Sequence, residues 1–389
     1  MKILLINNFV EYGGTEVQSK REIENFDSHG DDVYYLTFDN KSDVKLNSKH
    51  YNLKISNNKF SYFYNKLFFN PVLAKKIRKI IDKINPDFVH LNHCFYCPFT
   101  LYKILGEYKT IQTIRDYSFV CPKQTCIKKN FEECDGSSYN SCNECLDIKN
   151  KLVKKIYFNR LKKYRLKYIK KFICPSQALT DKSRSNGFDT LCIHNPFDFS
   201  KIIPKNYICE EKNYLYYGLI SDFKGVYRLI DAFKEFSMNR NCKLYFAGKF
   251  FSSVDKKKFE KSIQDVSNIE YLGFLKNSEI LKFQSNVYCT IVPSLWLENY
   301  PNTVLESQAC KTLVIGPNRG GFIEMIGSDK FLFNILDKND IIKKLEYTYS
   351  LDKNEYINFV NKKYEEALNK NSNENYYCCL KKVYFGLGE

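Results

Sequence analysis

Glu298 and Glu306 stand eight positions apart in the stretch IVPSLWLENYPNTVLESQACKTLVIGPNRGGFIEMI, residues 291–326. Residues 289–293 read as a buried strand that delivers a loop carrying Glu298. Pro301 and Asn302 then start a helix that carries Glu306, proline being well suited to a first helical turn. Residues 312–315 read as a second strand, leading to Gly320, Gly321 and a further helix with Glu324. Two carboxylates therefore project from a loop and the helix after it, at the carboxyl edge of a sheet. Open α/β sheets bind their ligands at that edge. A carboxylate can take two hydrogen bonds from a diol, so a ligand rich in hydroxyls suits the pair. Either acid alone is explained by the dipole at a helix start. The ordered set of acid, Pro-Asn, acid and Gly-Gly argues for a site.

A second constellation runs from Tyr217 and Gly218 through Leu219 to Lys224 and Gly225. It reads as a strand end, a loop and a helix start. An ammonium beside helix N-terminal amides favours a diphosphate. Gly13 and Gly14, after the first strand, let the backbone approach a ligand without a Cβ. The full G-x-G-x-x-G pattern is missing, which disfavours a dinucleotide oxidoreductase. In the same half, His90 closes the strand PDFVH, His93 lies three positions on, and Arg115 and Asp116 follow a strand over 110–114. No D-x-D triplet stands after a strand, so no catalytic divalent cation is expected.

These residues resemble the donor-binding region of family 4 glycosyltransferases, retaining enzymes of the GT-B fold, and the resemblance covers nearly the whole chain. It implies that Glu306 holds ribose hydroxyls, Glu298 holds hydroxyls of the donor sugar, and Lys224 contacts the donor pyrophosphate. Gly13, Gly14, Gly218, Asn302, Gly320 and Gly321 complete the implied donor-binding set. Asp116 matches the family's histidine–aspartate pair, with Arg115 where histidine is usual. By the same resemblance Asp116 and His90 line the acceptor side and join Glu298 and Lys224 as catalytic candidates. Leu219 stands where the family carries an arginine, and Arg319 is a candidate substitute for that charge. Arg115 is a candidate for an acidic acceptor or a phosphate. The implied activity is metal-independent, retaining transfer from a nucleotide-diphosphate sugar, UDP-linked by preference and GDP-linked next. The acceptor is a glycan or a lipid-linked molecule, in the synthesis of a bacterial surface polysaccharide (capsule, O-antigen or exopolysaccharide).

The elements that must position these groups alternate strand and helix twice over 389 residues, which points to two doubly wound parallel-sheet domains. The expected architecture is α/β, two Rossmann-like domains facing across a cleft. The expected boundaries are 1–196 for an acceptor domain, 197–370 for a donor domain and 371–389 for a helix returning to the first. Hydrophobic content of 44% and charged content of 27% suit a globular protein. No apolar run approaches the roughly 18 residues of a membrane span. The short apolar start reads as a strand rather than a signal segment, so a cytoplasmic protein is expected.

Net charge is +16. Residues 1–200 hold 33 Lys and Arg against 21 Asp and Glu, so the first half is the one suited to an anionic surface. Within it, residues 149–171 hold eleven basic residues and no acid. Val153, Tyr157, Leu161, Tyr164 and Tyr168 recur there at helical spacing as one apolar stripe. Two readings fit: a packed helix with a solvated basic face, or a face docking peripherally on the inner surface of the plasma membrane. An insertion over about 117–147 carries Cys121, Cys126, Cys134, Cys142 and Cys145. Cys121, Cys134, Cys142 and Cys145 suit a structural zinc; reduced thiols or reversible disulfides are the other reading. Two further functions are weighed against the transferase: a GT-B-fold sugar-nucleotide epimerase, and a basic, zinc-bearing nucleic-acid binder. The latter leaves residues 291–326 unexplained.

Overall fold

The computed structural model describes residues 1–10, 14–38, 49–55, 58–94, 96–134, 142–146 and 151–387. The chain divides into two compact units. The first comprises Met1–Lys129, Cys134–Phe197 and Asn373–Glu389; the second comprises Asn130–Glu133 and Asp198–Ser372.

The first unit is built on seven parallel strands: β1 Lys2–Ile6, β2 Asp32–Thr37, β3 His50–Asn52, β4 Phe88–Leu91, β5 Thr110–Thr113, β6 Lys171–Cys174 and β7 Thr190–Cys192. Their order is β3-β2-β1-β4-β5-β6-β7. Ile3, Leu4, Leu5 and Ile6 are fully buried, the run of apolar residues that a sheet covered on both faces requires. The strand order reverses direction between β1 and β4. The last helix, Asn373–Phe385, belongs to this unit and packs Tyr376, Leu380 and Tyr384 against Ile3, Phe26 and Phe88.

The second unit has six parallel strands: β8 Tyr214–Tyr217, β9 Leu244–Ala247, β10 Ile269–Tyr271, β11 Cys289–Ile291, β12 Leu313–Pro317 and β13 Leu332–Phe333. Their order is β10-β9-β8-β11-β12-β13. Here the reversal falls between β8 and β11. The loops leaving those two strands carry Lys224 and Glu298, so both groups stand at the topological switch point where such sheets bind ligands.

Helix boundaries follow local chemistry. The basic amphipathic segment near residue 72 forms a helix over Pro71–Ile84, with Pro71 in its first turn. Asn70 caps it by accepting from the amides of Val72 and Leu73. Asn85 ends it in the left-handed conformation at φ 48°. The strands β3 and β13 and the helices Lys59–Leu67 and Pro98–Leu105 have no counterpart in the sequence reading. Strands of three and two residues offer no period to detect. Pro98–Leu105 is buried at every position but Lys103, so it lacks the polar face that marks a helix.

The basic segment forms the helix Lys151–Tyr168, but its interior differs from the expected stripe. Leu161 is buried as read, whereas Val153 is exposed and Lys155 and Arg165 take interior positions. Arg165 is accommodated because its Nε donates to Tyr102 Oη at 3.2 Å, its Nη1 donates to the Ser118 carbonyl at 3.2 Å, and its guanidinium lies 3.6 Å from the Phe119 ring centre. Among the described residues no helix is long and apolar enough to cross a membrane.

Candidate functional site

Glycine geometry holds the loops after β8 and β11 of the second unit against each other. Gly225 adopts φ 72°, and a Cβ built there would fall 1.7 Å from the Pro293 carbonyl oxygen. The Leu295 amide donates to the Phe223 carbonyl at 3.1 Å. With the loops so joined, Lys224 Nζ reaches Glu298 Oε1 at 2.5 Å, and Ser294 Oγ donates to the same oxygen at 3.0 Å. The glycine pair closes the loop from the other side. A Cβ on Gly320 would lie 2.5 Å from the Glu298 carbonyl oxygen, and one on Gly321 would lie 1.8 Å from that of Asn299. The Gly321 amide donates to the Glu298 carbonyl at 2.9 Å. Lys224 and Glu298 are thus brought together by close approaches at Gly225, Gly320 and Gly321 that any side chain there would obstruct.

Gly218 supports a second close approach. It has φ 140°, and a Cβ on Gly248 would fall 1.8 Å from its carbonyl oxygen. Asn302 begins the helix Asn302–Ala309, with Pro301 at its N-cap. Glu306, on that helix, is only 5% exposed. Its Oε2 accepts from Tyr217 Oη at 2.8 Å and its Oε1 accepts from Asn277 Nδ2 at 3.2 Å. Burial and the adjacent Glu306 charge push the Tyr217 phenol far above its ordinary range, so Tyr217 acts there as a donor. The sequence names Tyr217 only as a strand end and assigns it no role, and it does not mark Asn277. Tyr217 is the last residue before Gly218, a position whose side chain flanks the ligand edge, and that was the available signal.

The cationic surroundings of Lys224 differ from the sequence reading. Arg319 is 9% exposed and donates to the Leu295 carbonyl at 3.3 Å, and burial lowers its affinity for a proton. Its guanidinium is already engaged in holding the loop. Arg228, in the first turn of the helix Val226–Ser237 and one turn beyond Lys224, lies near enough to oppose the Arg319 charge. It is half-buried, and the sequence offers its i+4 spacing from Lys224 as a signal.

In the first unit, two readings need correction. His90 is wholly buried, with Nδ1 paired to Tyr384 Oη at 2.8 Å and Nε2 paired to Thr113 Oγ1 at 2.6 Å. Burial holds its pKa down at about 4, so it is a neutral core histidine with both ring nitrogens occupied and no face for an acceptor. Arg115 is also spent internally. Its guanidinium pairs with buried Glu22 and donates to Asn195 Oδ1 at 2.7 Å and to Asn92 Oδ1 at 2.9 Å. Burial pulls the Glu22 carboxyl upward, but Arg115, His90 and the hydrogen bonds from Tyr376 and Asn92 together bring it below its ordinary value.

Asp116 is partly exposed and accepts from the Ser118 amide at 2.8 Å as an N-cap. His93 Nε2, at the end of the neighbouring strand, lies 3.9 Å from Asp116 Oδ2. Burial lowers His93 to about 4 against the pull of Asp116, so it is neutral near pH 7. Asp116 therefore has a histidine beside it at this edge, supplied by the segment after β4 rather than by position 115. Gly14 opens the helix Gly14–Ser28; Gly13 lies outside the described residues.

The cysteines of the insertion share one neighbourhood in the first unit. Cys126 and Cys134 are linked by the Cys134 amide donating to the Cys126 carbonyl at 2.9 Å, and Cys145 Sγ points at the Ile127 carbonyl at 4.0 Å. Burial and the charges of Cys121, Cys134 and Cys145 push the Cys142 thiol up. Among the described residues, however, no group of three or more His, Cys, Asp or Glu side chains stands in metal-holding geometry. The four thiols approach one another without forming a ready-made ligand set.

Comparison with known proteins accords with this arrangement. The family description "Glycosyl transferases group 1" matches residues 198–371, and "Glycosyltransferase Family 4" matches residues 12–201. No curated protein sequence matches the chain. Among solved structures, sucrose-phosphate synthase from Thermosynechococcus elongatus is similar at TM-score 0.75 and 15% identity, over 99% of this chain and 98% of that one. Anabaena HepE in complex with UDP is similar at TM-score 0.75 and 13% identity, over 99% and 100%. The S. aureus TarM variant in complex with fondaparinux, α-GlcNAc-glycerol and UDP is similar at TM-score 0.70 and 12% identity, over 99% and 100%. The chain is a glycosyltransferase of the GT-B fold and belongs to family 4.

Proposed function

We propose that this glycosyltransferase moves a sugar, with retention at the anomeric carbon, from a nucleotide-diphosphate donor to a glycan or lipid-linked acceptor of a bacterial surface polysaccharide. The observation that carries the reading is the Lys224–Glu298 contact at the switch point between β8 and β11. Breaking the anomeric C–O bond leaves negative charge on the departing diphosphate. Lys224 supplies the cation for that charge, the kind of preorganised stabilisation that dominates such reactions. Arg228 adds positive charge one helical turn beyond Lys224. Glu298 orients sugar hydroxyls, and Glu306 holds the ribose while Tyr217 and Asn277 fix its carboxylate. The Lys224–Glu298 pair is partly exposed, so it contributes only about 0–1 kcal/mol. A donor diphosphate displaces it at little cost.

UDP-sugars are the first candidates and GDP-sugars the second; Anabaena HepE has been seen with UDP and with UDP-glucose. Asp116 with His93 faces the acceptor hydroxyl, and a donor phosphate oxygen takes its proton. Cys121, Cys134, Cys142 and Cys145 remain the proposed zinc ligands, on their spacing and shared neighbourhood. The exposed side of the helix Lys151–Tyr168 is the proposed contact with an anionic membrane. Co-sedimentation with phosphatidylglycerol vesicles, but not phosphatidylcholine vesicles, tests that contact. A thermal-shift panel of nucleotide-sugars tests the donor reading: a UDP- or GDP-sugar raises the melting temperature and Lys224→Ala loses the effect. Nucleotide release that occurs only with acceptor present separates transfer from epimerisation. Absence of any nucleotide-sugar binding overturns the proposal.

A further inference from the structure

The first unit contains an apolar cavity of about 380 Å³ whose walls include Phe63, Leu67, Tyr157, Phe158 and Leu161. That volume lies within the range of about 300–1,000 Å³ usual for small-molecule sites. Its floor comes from Cys94, Ser118 and Cys121, which follow β4 and β5 at the ligand-binding edge of the sheet. Three cations, Lys66, Lys154 and Arg165, also line it. Arg165 is 5% exposed, and its partners are neutral: Tyr102 Oη, the Ser118 carbonyl and the Phe119 ring. Among the described residues no carboxylate pairs with it and its Nη2 makes no hydrogen bond. A buried cation without a counter-ion is costly unless an anion joins it.

A second cavity of about 440 Å³ shares Pro122, Gln124 and Lys154 with the first and adds Lys123 and Lys129. An apolar chamber thus adjoins a lysine-rich one. Around the mouth, Phe63 and Val153 are more than half exposed. Arg160 ties the two helices that form the walls, donating to the Leu67 carbonyl at 2.7 Å.

We propose that these adjoining cavities bind a single-chain anionic lipid, its apolar chain between the helices Lys59–Leu67 and Lys151–Tyr168 and its phosphate on Arg165 and Lys66. The assignment of that lipid as the acceptor's carrier rests on the transferase reading; the binding itself does not. The phosphate end lies on the side of His93, which feels both Arg165 and Asp116. A sugar attached to that phosphate is therefore delivered toward the pair proposed to face the acceptor hydroxyl. The chemistry selects a lipid-linked acceptor over a free glycan.

Calorimetry on the full chain tests the site with decyl phosphate, inorganic phosphate and decanol, alongside UDP as a control. Decyl phosphate binds at least tenfold more tightly than either fragment, because chain and charge are held together. Arg165→Gln weakens it most. Since a buried arginine also supports the fold, Val153→Glu at an exposed position and Lys66→Glu at a half-buried one provide the deciding measurement, and each weakens decyl phosphate at least tenfold while UDP affinity is unchanged. Equal affinity for phosphate and decyl phosphate, or unchanged decyl phosphate binding in both of these variants, overturns the inference. Loss of UDP binding in the unmodified chain counts instead against the donor site.

Discussion

A methyl group on Gly321 would sit 1.8 Å from the carbonyl oxygen of Asn299, closer than any pair of atoms at those positions tolerates. Gly321→Ala must therefore push away the loop that carries Glu298, which the Gly321 amide otherwise grips through the Glu298 carbonyl. A displacement of about 1 Å at a reacting group costs on the order of 10²-fold in turnover. The expected outcome is a folded protein whose kcat with a nucleotide-sugar falls by roughly that factor. Unchanged kcat would show that the position of Glu298 does not matter to the reaction.

Glu306 and Glu298 should separate in their effects. Glu306→Ala removes the acceptor of two hydrogen bonds, one from Tyr217 Oη, which keeps the Thr303 carbonyl at 3.2 Å, and one from the exposed Asn277; each such bond is worth about 0.5–1.5 kcal/mol net. Lower thermal stability and weaker UDP binding are expected together, and Glu306→Gln should restore part of the stability. Glu298→Ala removes a partly exposed carboxylate paired with Lys224, so it should depress kcat more than it weakens UDP. Titration calorimetry with UDP and steady-state kinetics on both variants check the division; equal effects on affinity and turnover would contradict it.

The geometry of these loops was legible because their constraints are local. Pro301-Asn302, Gly320-Gly321 and Lys224-Gly225 each announce a backbone feature within a few residues. His90 and Arg115 were not legible, because what buries them is remote in sequence. His90 meets Tyr384 at a separation of 294 residues, and Arg115 meets Glu22 at 93. A strand-end histidine reads alike whether a ligand or the last helix covers it. The basic segment failed for a related reason. Periodicity saw that one face is apolar but had no means to foresee that Tyr102, Ser118 and Phe119 would draw Arg165 inside. Short strands and the wholly apolar helix Pro98–Leu105 escaped because pattern needs length and contrast.

Burial of His90 makes the first unit sensitive to acid. Its folded pKa is about 4 against 6.5 for the free side chain, so the unfolded chain takes up a proton first as pH falls. Stability contributed by the neutral ring is present above about 6.5 and is lost progressively toward 4, at up to about 1.4 kcal/mol per pH unit for one proton. His93, also held near 4, acts in the same window. The groups that face His90 are Glu22, Arg115 and Tyr384, and the depressed Glu22 carboxyl adds its own loss only below about its ordinary 4.5. Denaturant unfolding between pH 7 and 5 should therefore show a falling midpoint. His90→Asn should reduce that slope by about one proton's worth, and an unchanged slope would show that His90 is protonated in the folded state.

The cysteine neighbourhood makes a prediction that separates metal from thiol. If Cys121, Cys134, Cys142 and Cys145 close around zinc, the charges that raise the Cys142 thiol in the metal-free arrangement are neutralised by the cation, and all four bind as thiolates. Protein purified without added metal should then carry one zinc per chain by elemental analysis, and Cys142→Ser should lose it. Because metal affinity is folding free energy for such loops, the variant's insertion should also become sensitive to proteolysis while UDP binding in the second unit persists. Four alkylatable thiols and no bound zinc would establish the reduced-thiol reading, and the absence of a ready-made ligand set among the described residues would then be the resting geometry of the loop.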